Sequence, residues 1–479
     1  MKKNKALAAS FFLMGTFVFS PLLSAMSLEE YLSEVQKKNK TFQSFQSSDE
    51  AASVRYDAGN LELSPFLTAG GSYLDDKSQQ FATGGTLTHQ QVRQYNLGLA
   101  KKFSTGTQAA VVGAVQAINL EGVAPTGGFA SEFHTGTLAL SLSQSLWKDF
   151  FGRSTRLRWA RESSQRSFEK TTYNLQAKQA LITAESIFWD LSYLQRELEI
   201  GKASLDRAKK IELWVRRRAN NGIGDRADVL NAQGLVSTRE LQLLTTMDNL
   251  KTAERRFNDQ MELPPSTPVP NLQDFEQERP LNIFVAGHEG RIVRLESYLS
   301  ILDAQVKKIN SEEAVERVRP DLVLQGQYKT NGYDSDDPGA VSRMTDRNYP
   351  ISSVGVTFSW ALDWESKNAI RDSAKSDALA AQFTKERQLL ESESAWSELN
   401  RRHQELNARI KLATSLSEVQ TAKAAAERVK LSRGRSITSD VITAEQDAAD
   451  AELNVTRLKA EQRKLESQGR LFVKVQEET

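Results

Sequence analysis

Two hydrophobic periods divide this chain. In the run 354–363, Val354, Val356, Phe358, Trp360 and Leu362 alternate with Gly355, Thr357, Ser359, Ala361 and Asp363. That period of two predicts a strand with one apolar face. Leu322, Leu324, Gly326 and Tyr328 alternate in the same way, as do Leu138, Leu140 and Leu142 against Ala139, Ser141 and Ser143. Tyr95, Leu97 and Leu99, a turn at Ser104-Thr105-Gly106, then Val111, Gly113 and Val115 read as a hairpin. Elsewhere the period lengthens. Ala180, Ala184, Ile187, Leu191, Leu194, Leu198, Gly201, Leu205 and Ala208 step by threes and fours, a heptad seam. Leu389, Trp396, Leu399, His403, Leu406, Ile410 and Ala413 repeat it. A helix from about 152 to 219 would run ~100 Å at the usual rise.

The two halves share this order. Strands are expected at about 64–74, 94–118 and 136–147, and again at about 321–330 and 352–363, each set followed by a long helix. Pro65 and Pro320 mark where helix gives way to strand. An opening helix capped by Ser27 is expected to reach about Leu61, with a counterpart from about Val285 to Arg319. Each long helix is interrupted by a related stretch, GIGDRADVLNAQ at 222–233 and GRSITSDVITAEQ at 434–446. Gly222 aligns with Gly434, Asp228 with Asp440, Val229 with Val441 and Ala232 with Ala444. Glycine stops one helix and the aspartate opens the next, so tips are placed at about 219–226 and 432–439. Return helices are expected over 226–262 and 439–475. Five prolines make 263–284 a linker between a first repeat, 26–262, and a second, 285–479.

This tandem order of helix, strand, strand, helix, with a tip of the form G-x-x-x-x-x-D-V-L-x-A in each half, resembles the TolC-like outer membrane efflux proteins. The resemblance spans nearly the whole chain and departs from the pattern at Ile442, where the family has Leu. It implies a mainly α protein with membrane β structure: a trimeric β-barrel continued by a long α-helical coiled-coil barrel. The hairpin at 94–118 is extra, and either adds two barrel strands or stands as a surface hairpin.

Export is consistent with the N-terminus. Lys2, Lys3 and Lys5 precede an apolar run from Ala6 to Phe19, and Ser24-Ala25 offers small residues for cleavage, so 1–25 reads as a signal peptide. Losing those lysines takes the net charge from +1 to −2, a balance that points to no nucleic acid. With no cysteine, disulfides, thiol chemistry and a lipidated N-terminal cysteine are excluded. His89, His134, His288 and His403 are scattered, and none sits in a metal-binding spacing. The Gly-Gly pairs at 84–85 and 127–128 lie in polar stretches and read as turns. No nucleophile elbow or phosphate loop occurs. The reading is therefore no enzyme, no cofactor and no metal.

The resemblance also implies sites. Its glycine-centred tips meet the hairpins of a periplasmic adaptor protein, here at Asn221, Gly222 and Ile223 and at Arg433, Gly434 and Arg435. Its periplasmic gate uses acidic residues at the second tip. Asp440 takes the first such position and Thr443 the second. The family's basic latch falls on Ser436, with Arg435 beside it, and the residue that the latch grips falls on Asp228. Helix N-terminal acids are also favoured by the helix dipole, so a purely capping role for Asp228 and Asp440 stands beside the gate. Trp147, Phe150, Phe151, Trp360 and Trp364 gather where strand meets helix, as membrane-interface aromatics would. The implied function is the outer membrane exit duct of a tripartite efflux or type I secretion system in a Gram-negative bacterium. Its helical part would reach into the periplasm, with a homotrimer, an adaptor, an inner-membrane pump of RND or ABC type and outer membrane lipid as partners. An exported coiled-coil spacer or adhesive protein without channel activity is the alternative.

Overall fold

The computed structural model describes residues 25–82, 85–123, 131–273, 275, 280–287, 290–347 and 349–475. The signal segment up to Ser24, His288, Gly84, the glycine pair at 127–128 and part of the proline-rich linker lie outside the described residues. In chain order the elements are α1 (Leu28–Lys38), α2 (Lys40–Ala58), β1 (Phe66–Asp76), β2 (Gln80–Ala82), β3 (Gly85–Lys102), β4 (Thr107–Val123), β5 (Glu132–Ser145), α3 (Arg153–Asn220) and α4 (Arg226–Gln260). There follow β6 (Arg291–Arg294), α5 (Leu295–Arg317), β7 (Asp321–Asp334), α6 (Asp337–Arg343), β8 (Ile351–Ser359), α7 (Trp364–Ser432), α8 (Thr438–Ser467) and β9 (Phe472–Val475). They fall into two compact units.

One unit comprises the chain up to Gln43, Ala180–Phe284 and Leu399–Arg470. It is helical and packs along the heptad seams. Ala184, Leu191 and Ala208 of α3, and Leu399, Leu406 and Ala413 of α7, are buried. Its aromatic core joins Tyr31, Phe188 and Phe257; the rings of Tyr31 and Phe257 stack at 4.5 Å. Ser27 and Glu30 form a capping box at the start of α1. The opening helix then breaks earlier than the periodicity predicts. Asn39 takes an extended conformation, its amide donates to the Gln260 carbonyl at 3.1 Å, and its side-chain oxygen accepts from the Thr41 amide at 2.9 Å. A long-range partner thus outweighs helix continuation. The linker is held by buried Asn258, whose amide donates to the Thr267 carbonyl at 2.8 Å, and by Gln195, which accepts from the Leu272 amide.

The other unit comprises Ser44–Gln179, Val285–Glu398 and the chain from Leu471. Its main feature is an antiparallel sheet in the order β1-β3-β4-β5-β7-β8, with short β2 beside β3. The hairpin over 94–118 is longer than its alternation suggests, and both arms, β3 and β4, pair inside this sheet. Leu67, Leu99, Val111, Leu140 and Tyr328 lie side by side in one cross-strand row. The neighbouring row on the opposite face reads Ala110, Ser141, Gln327 and Ser353. Strand alternation has sorted apolar from polar, yet the apolar face remains open: Leu67 is 72% exposed and Val354 80%. Among the described residues the sheet does not close on itself. β1 and β8 each have a neighbour on one side only.

Three further segments depart from the sequence reading. β8 ends at Ser359, leaving Trp360 and Leu362 beyond it, because Asp363 accepts hydrogen bonds from the Ser366 amide and hydroxyl and starts α7. The second opening helix starts only at Leu295, and the last return helix stops at Ser467. The segments freed from them, β6 and β9, pair with one another, and Phe472 packs on Trp396 at 5.0 Å. The polar loop after β7 contains α6, which folds back over the apolar face. A Cβ on Gly136 would meet the Ala340 carbonyl at 2.2 Å, and one on Gly332 would meet Arg343 at 2.5 Å. Only glycine lets this helix lie so close to the strands.

Candidate functional site: the paired helical tips

Both tips belong to the helical unit, and both reverse by the same backbone device. Gly222 and Gly434 have φ of 72° and 71°, the left-handed region. The Ile223 amide donates to the Arg218 carbonyl and the Gly222 amide to that of Ala219. The Arg435 and Gly434 amides donate to Lys430 and Leu431 in the same pattern. This is the Schellman closure of a helix C-terminus. A Cβ at either glycine would meet nothing within 4 Å. The surfaces of Asn221, Gly222, Ile223, Arg433, Gly434 and Arg435 are all exposed, Ile223 at 68%.

Beyond the glycines the tips differ. Asp225 caps α4 by accepting from the Ala227 amide. The aligned position is Ile437, which provides no side-chain cap for α8. Ser436 instead donates to Glu427 at 2.7 Å, tying the second tip back to its own incoming helix. Lys430 and then Ser436 hold the Glu427 carboxyl below its ordinary value. Asp228 and Asp440 both sit in the first turns of their helices. Thr443 donates to the Ser439 carbonyl within its helix. Among the described residues of this one chain, no bond joins Asp228 to Ser436, Arg435 or Asp440. The structure thus places the residues for which the resemblance implies a gate at the two tips without linking them.

What does link the hairpins is a carboxylate just beyond the aligned tip residues. Glu445, 4% exposed, receives the Arg207 Nε of α3 at 2.9 Å and lies 2.9 Å from the Arg428 Nε of α7. Buried Arg239 of α4 lies nearby, its guanidinium pKa lowered chiefly by burial. Ile211, Val215, Ala232, Leu431 and Val441 pack in one apolar cluster beside this knot. The available signal was a carboxylate on the helical stripe of Val441, Ala444 and Ala448, where an apolar residue is expected.

In the sheet unit, Trp147, Phe150, Phe151 and Trp364 are half-exposed. Trp360 and Trp364 meet edge to face at 4.8 Å, and the Lys367 ammonium lies 4.0 Å from the Trp360 ring. Phe150 and Phe151 meet edge to face as well. Of the histidines, His89 lies between Asp75 and Glu121, His134 bonds Asp337, and His403 lies 3.4 Å from Glu466. Among the described residues no group of three or more His, Asp or Glu side chains is arranged to hold a metal ion.

No family model matches the chain. The chain is 27% identical over 140 residues to the toxin and drug export protein A of Aggregatibacter actinomycetemcomitans; the match spans 29% of this chain and 30% of that protein. Solved structures align over far more. The outer membrane protein VceC of Vibrio cholerae matches with a TM-score of 0.63 at 13% identity, covering 92% of this chain and 94% of that one. The outer-membrane channel OprN matches with a TM-score of 0.64 at 16% identity, covering 93% and 89%. The open-state MtrE outer membrane channel of Neisseria gonorrhoeae matches at 0.63 and 13%, covering 93% and 88%. None of the described helices is long and apolar enough to cross a membrane. Over more than nine tenths of its length the chain shares the fold of these outer membrane proteins, the TolC-like fold that its sequence resembles.

Proposed function

We propose that three copies of this chain form an outer membrane exit duct for efflux or type I secretion. The observation that carries this reading is the open sheet: one face is apolar and exposed, the other polar, and both edges, β1 and β8, are unpaired. A long exposed edge is a template for another strand, and an apolar face without a covering layer suits lipid. Three such sheets joined edge to edge give roughly eighteen strands, within the range of closed membrane barrels. The polar rows then face the lumen, and Trp147, Phe150, Phe151, Trp360 and Trp364 lie at one membrane interface. Exposed Leu230, Leu241 and Leu244 on α4, and Leu412, Leu416 and Val419 on α7, supply further apolar stripes for neighbouring copies. A spacer protein needs no such sheet.

In this reading the protein sits in the outer membrane of a Gram-negative bacterium, with its helices in the periplasm. Passage is passive, and an inner-membrane pump of RND or ABC type supplies the energy through a periplasmic adaptor that docks on the glycine tips. Asp440 recurs three times around the narrow mouth, where like charges are poorly screened and attract cations. The test is single-channel recording of detergent-purified protein in planar bilayers. Asp440→Ala should lower cation preference and weaken block by multivalent cations from the tip side. No channel in the unmodified protein overturns the duct; unchanged selectivity and block in Asp440→Ala leave the duct and remove Asp440 from the gate.

A further inference from the structure

The apolar face of the sheet is not uniform. Beside α6 it holds a depression of about 600 Å³ lined by Tyr95, Leu97, Leu99, Val111 and Leu138, with Met344 at its rim. Its floor is low because Gly113 supplies no side chain. The nearest atoms to a Cβ placed there are the Leu97 carbonyl at 3.9 Å and the Met344 methyl carbon at 4.0 Å. The rim is anchored: the Thr330 hydroxyl donates to the Met344 carbonyl at 2.5 Å. So the hollow is built by three features, a glycine, a fixed methionine and a helix seated on the glycines of β5 and β7.

Arg93 stands directly beyond this hollow. It is two residues from Tyr95 on β3, so it shares the apolar face and lies about 7 Å further toward the loop end. It is exposed, and none of the described residues bonds or pairs with its guanidinium. Tyr73, 63% exposed, is its cross-strand partner on β1. The nearby carboxylates Asp75 and Glu121 are both engaged by His89. A free cation at one end of an apolar hollow, flanked by exposed tyrosines, matches an amphiphile with an anionic head and a hydrocarbon tail. Tyrosine suits the boundary between the two.

We propose that this hollow binds one acyl chain of a phosphate-bearing lipid, with Arg93 on the phosphate and Met344 closing over the chain. The site rests on the membrane-barrel reading given above and adds a specific lipid to a surface that otherwise meets lipid without preference. Arg93 matches phosphate through its planar fork of donors. Leucine, valine and methionine gain by covering methylene groups.

The experiment uses delipidated full-length protein in detergent, titrated with dioleoyl phosphatidylglycerol and followed by native mass spectrometry. The unmodified protein should retain lipid in a saturable step. Arg93→Gln should weaken that step about fivefold, the scale of one basic residue at an anionic surface. Gly113→Leu, which fills the hollow, should weaken it on the order of tenfold by displacing about two methylene groups. Phosphatidylcholine of the same chains should bind no better than phosphatidylglycerol does to Arg93→Gln. Glycerol phosphate, which lacks the tail, should not compete. Equal affinity of both variants and the unmodified protein overturns the site. So does competition by glycerol phosphate, which would reduce it to an anion contact. Heat-modified mobility of the same membrane-extracted protein separates the two readings: without it the barrel itself fails, and with it but without selective lipid the barrel stands and this site falls.

Discussion

The two helical tips make the same reversal and then secure it differently. Gly222 and Gly434 share φ, hydrogen-bond pattern and empty surroundings. After the glycine, the first tip satisfies the new helix through Asp225, whereas the second presents Ile437 at that position and bonds Ser436 to Glu427. Val215, the residue aligned with Glu427, lies in the apolar cluster instead. Leu431 and Val441 of the second tip pack in that same cluster, so the tips differ in what they add to it: the first its own cap, the second polar bonds to its incoming helix and through Glu445. A polar bond on an exposed tip is exchanged for water at little cost, so the shared cluster does most to hold both.

The largest effect should come from removing the knot that joins them. Glu445→Ala leaves Arg207 and Arg428 facing one another without their shared carboxylate. We expect a loss of about 2 kcal/mol, below the ~3–5 kcal/mol of a fully buried pair because both guanidinium groups are partly exposed. Thermal unfolding followed by helix content measures it, and an unchanged midpoint would show that packing alone joins the hairpins. Next come the glycines. Gly222→Ala and Gly434→Ala should each cost about 1 kcal/mol for a left-handed alanine, by equal amounts, while asparagine at either position should cost less. Unequal losses would mean that the two reversals are not equivalent.

The caps allow the difference between the tips to be exchanged. Asp225→Ala should cost ~1 kcal/mol, and Ile437→Asp should return a similar amount to the second tip. Ile437 is 63% exposed, so little packing is lost. Denaturant midpoints of the two single variants and the double variant test this, and destabilisation by Ile437→Asp would contradict it. The smallest effect concerns pH. The Glu427 carboxyl is held below its ordinary value of 4.5 by Lys430 and Ser436. A lowered carboxylate pKa adds stability above the unfolded value, and that stability is lost as pH falls through the folded value. Ser436→Ala should raise the folded value toward 4.5, so the acid loss begins at a slightly higher pH. Acid titration of the helix signal reads the shift, and coincident curves would mean that Lys430 alone sets it.

Much of the fold was legible because its periods are regular. The seam residues Ala184, Leu191 and Ala208 are buried, as heptad spacing predicts. Leu138, Leu140 and Leu142 share a face because strand side chains alternate whatever the surroundings. The breaks were less legible. Asn39 interrupts the opening helix through a bond to Gln260, 221 residues away, and no local propensity reports such a partner. α6 is seated by Gly136 and Gly332, which in the sequence look like ordinary weak points of strands.

The candidate site divides along the same line. Tip positions followed from glycine, aspartate and the apolar run behind them, since helix ends are written in local residue chemistry. Glu445 did not, because its partners on α3 and α7 lie 238 and 17 residues away and meet it only when the hairpins pack. Sequence alone therefore determined the repeat, the strand faces, the length of α3 and the two reversals, all set by interactions within a few residues. The tertiary structure decided that β3 and β4 enter the main sheet, where α6 lies, and which charges join the hairpins. Those outcomes depend on which distant surfaces exclude water together, and periodicity carries no record of that.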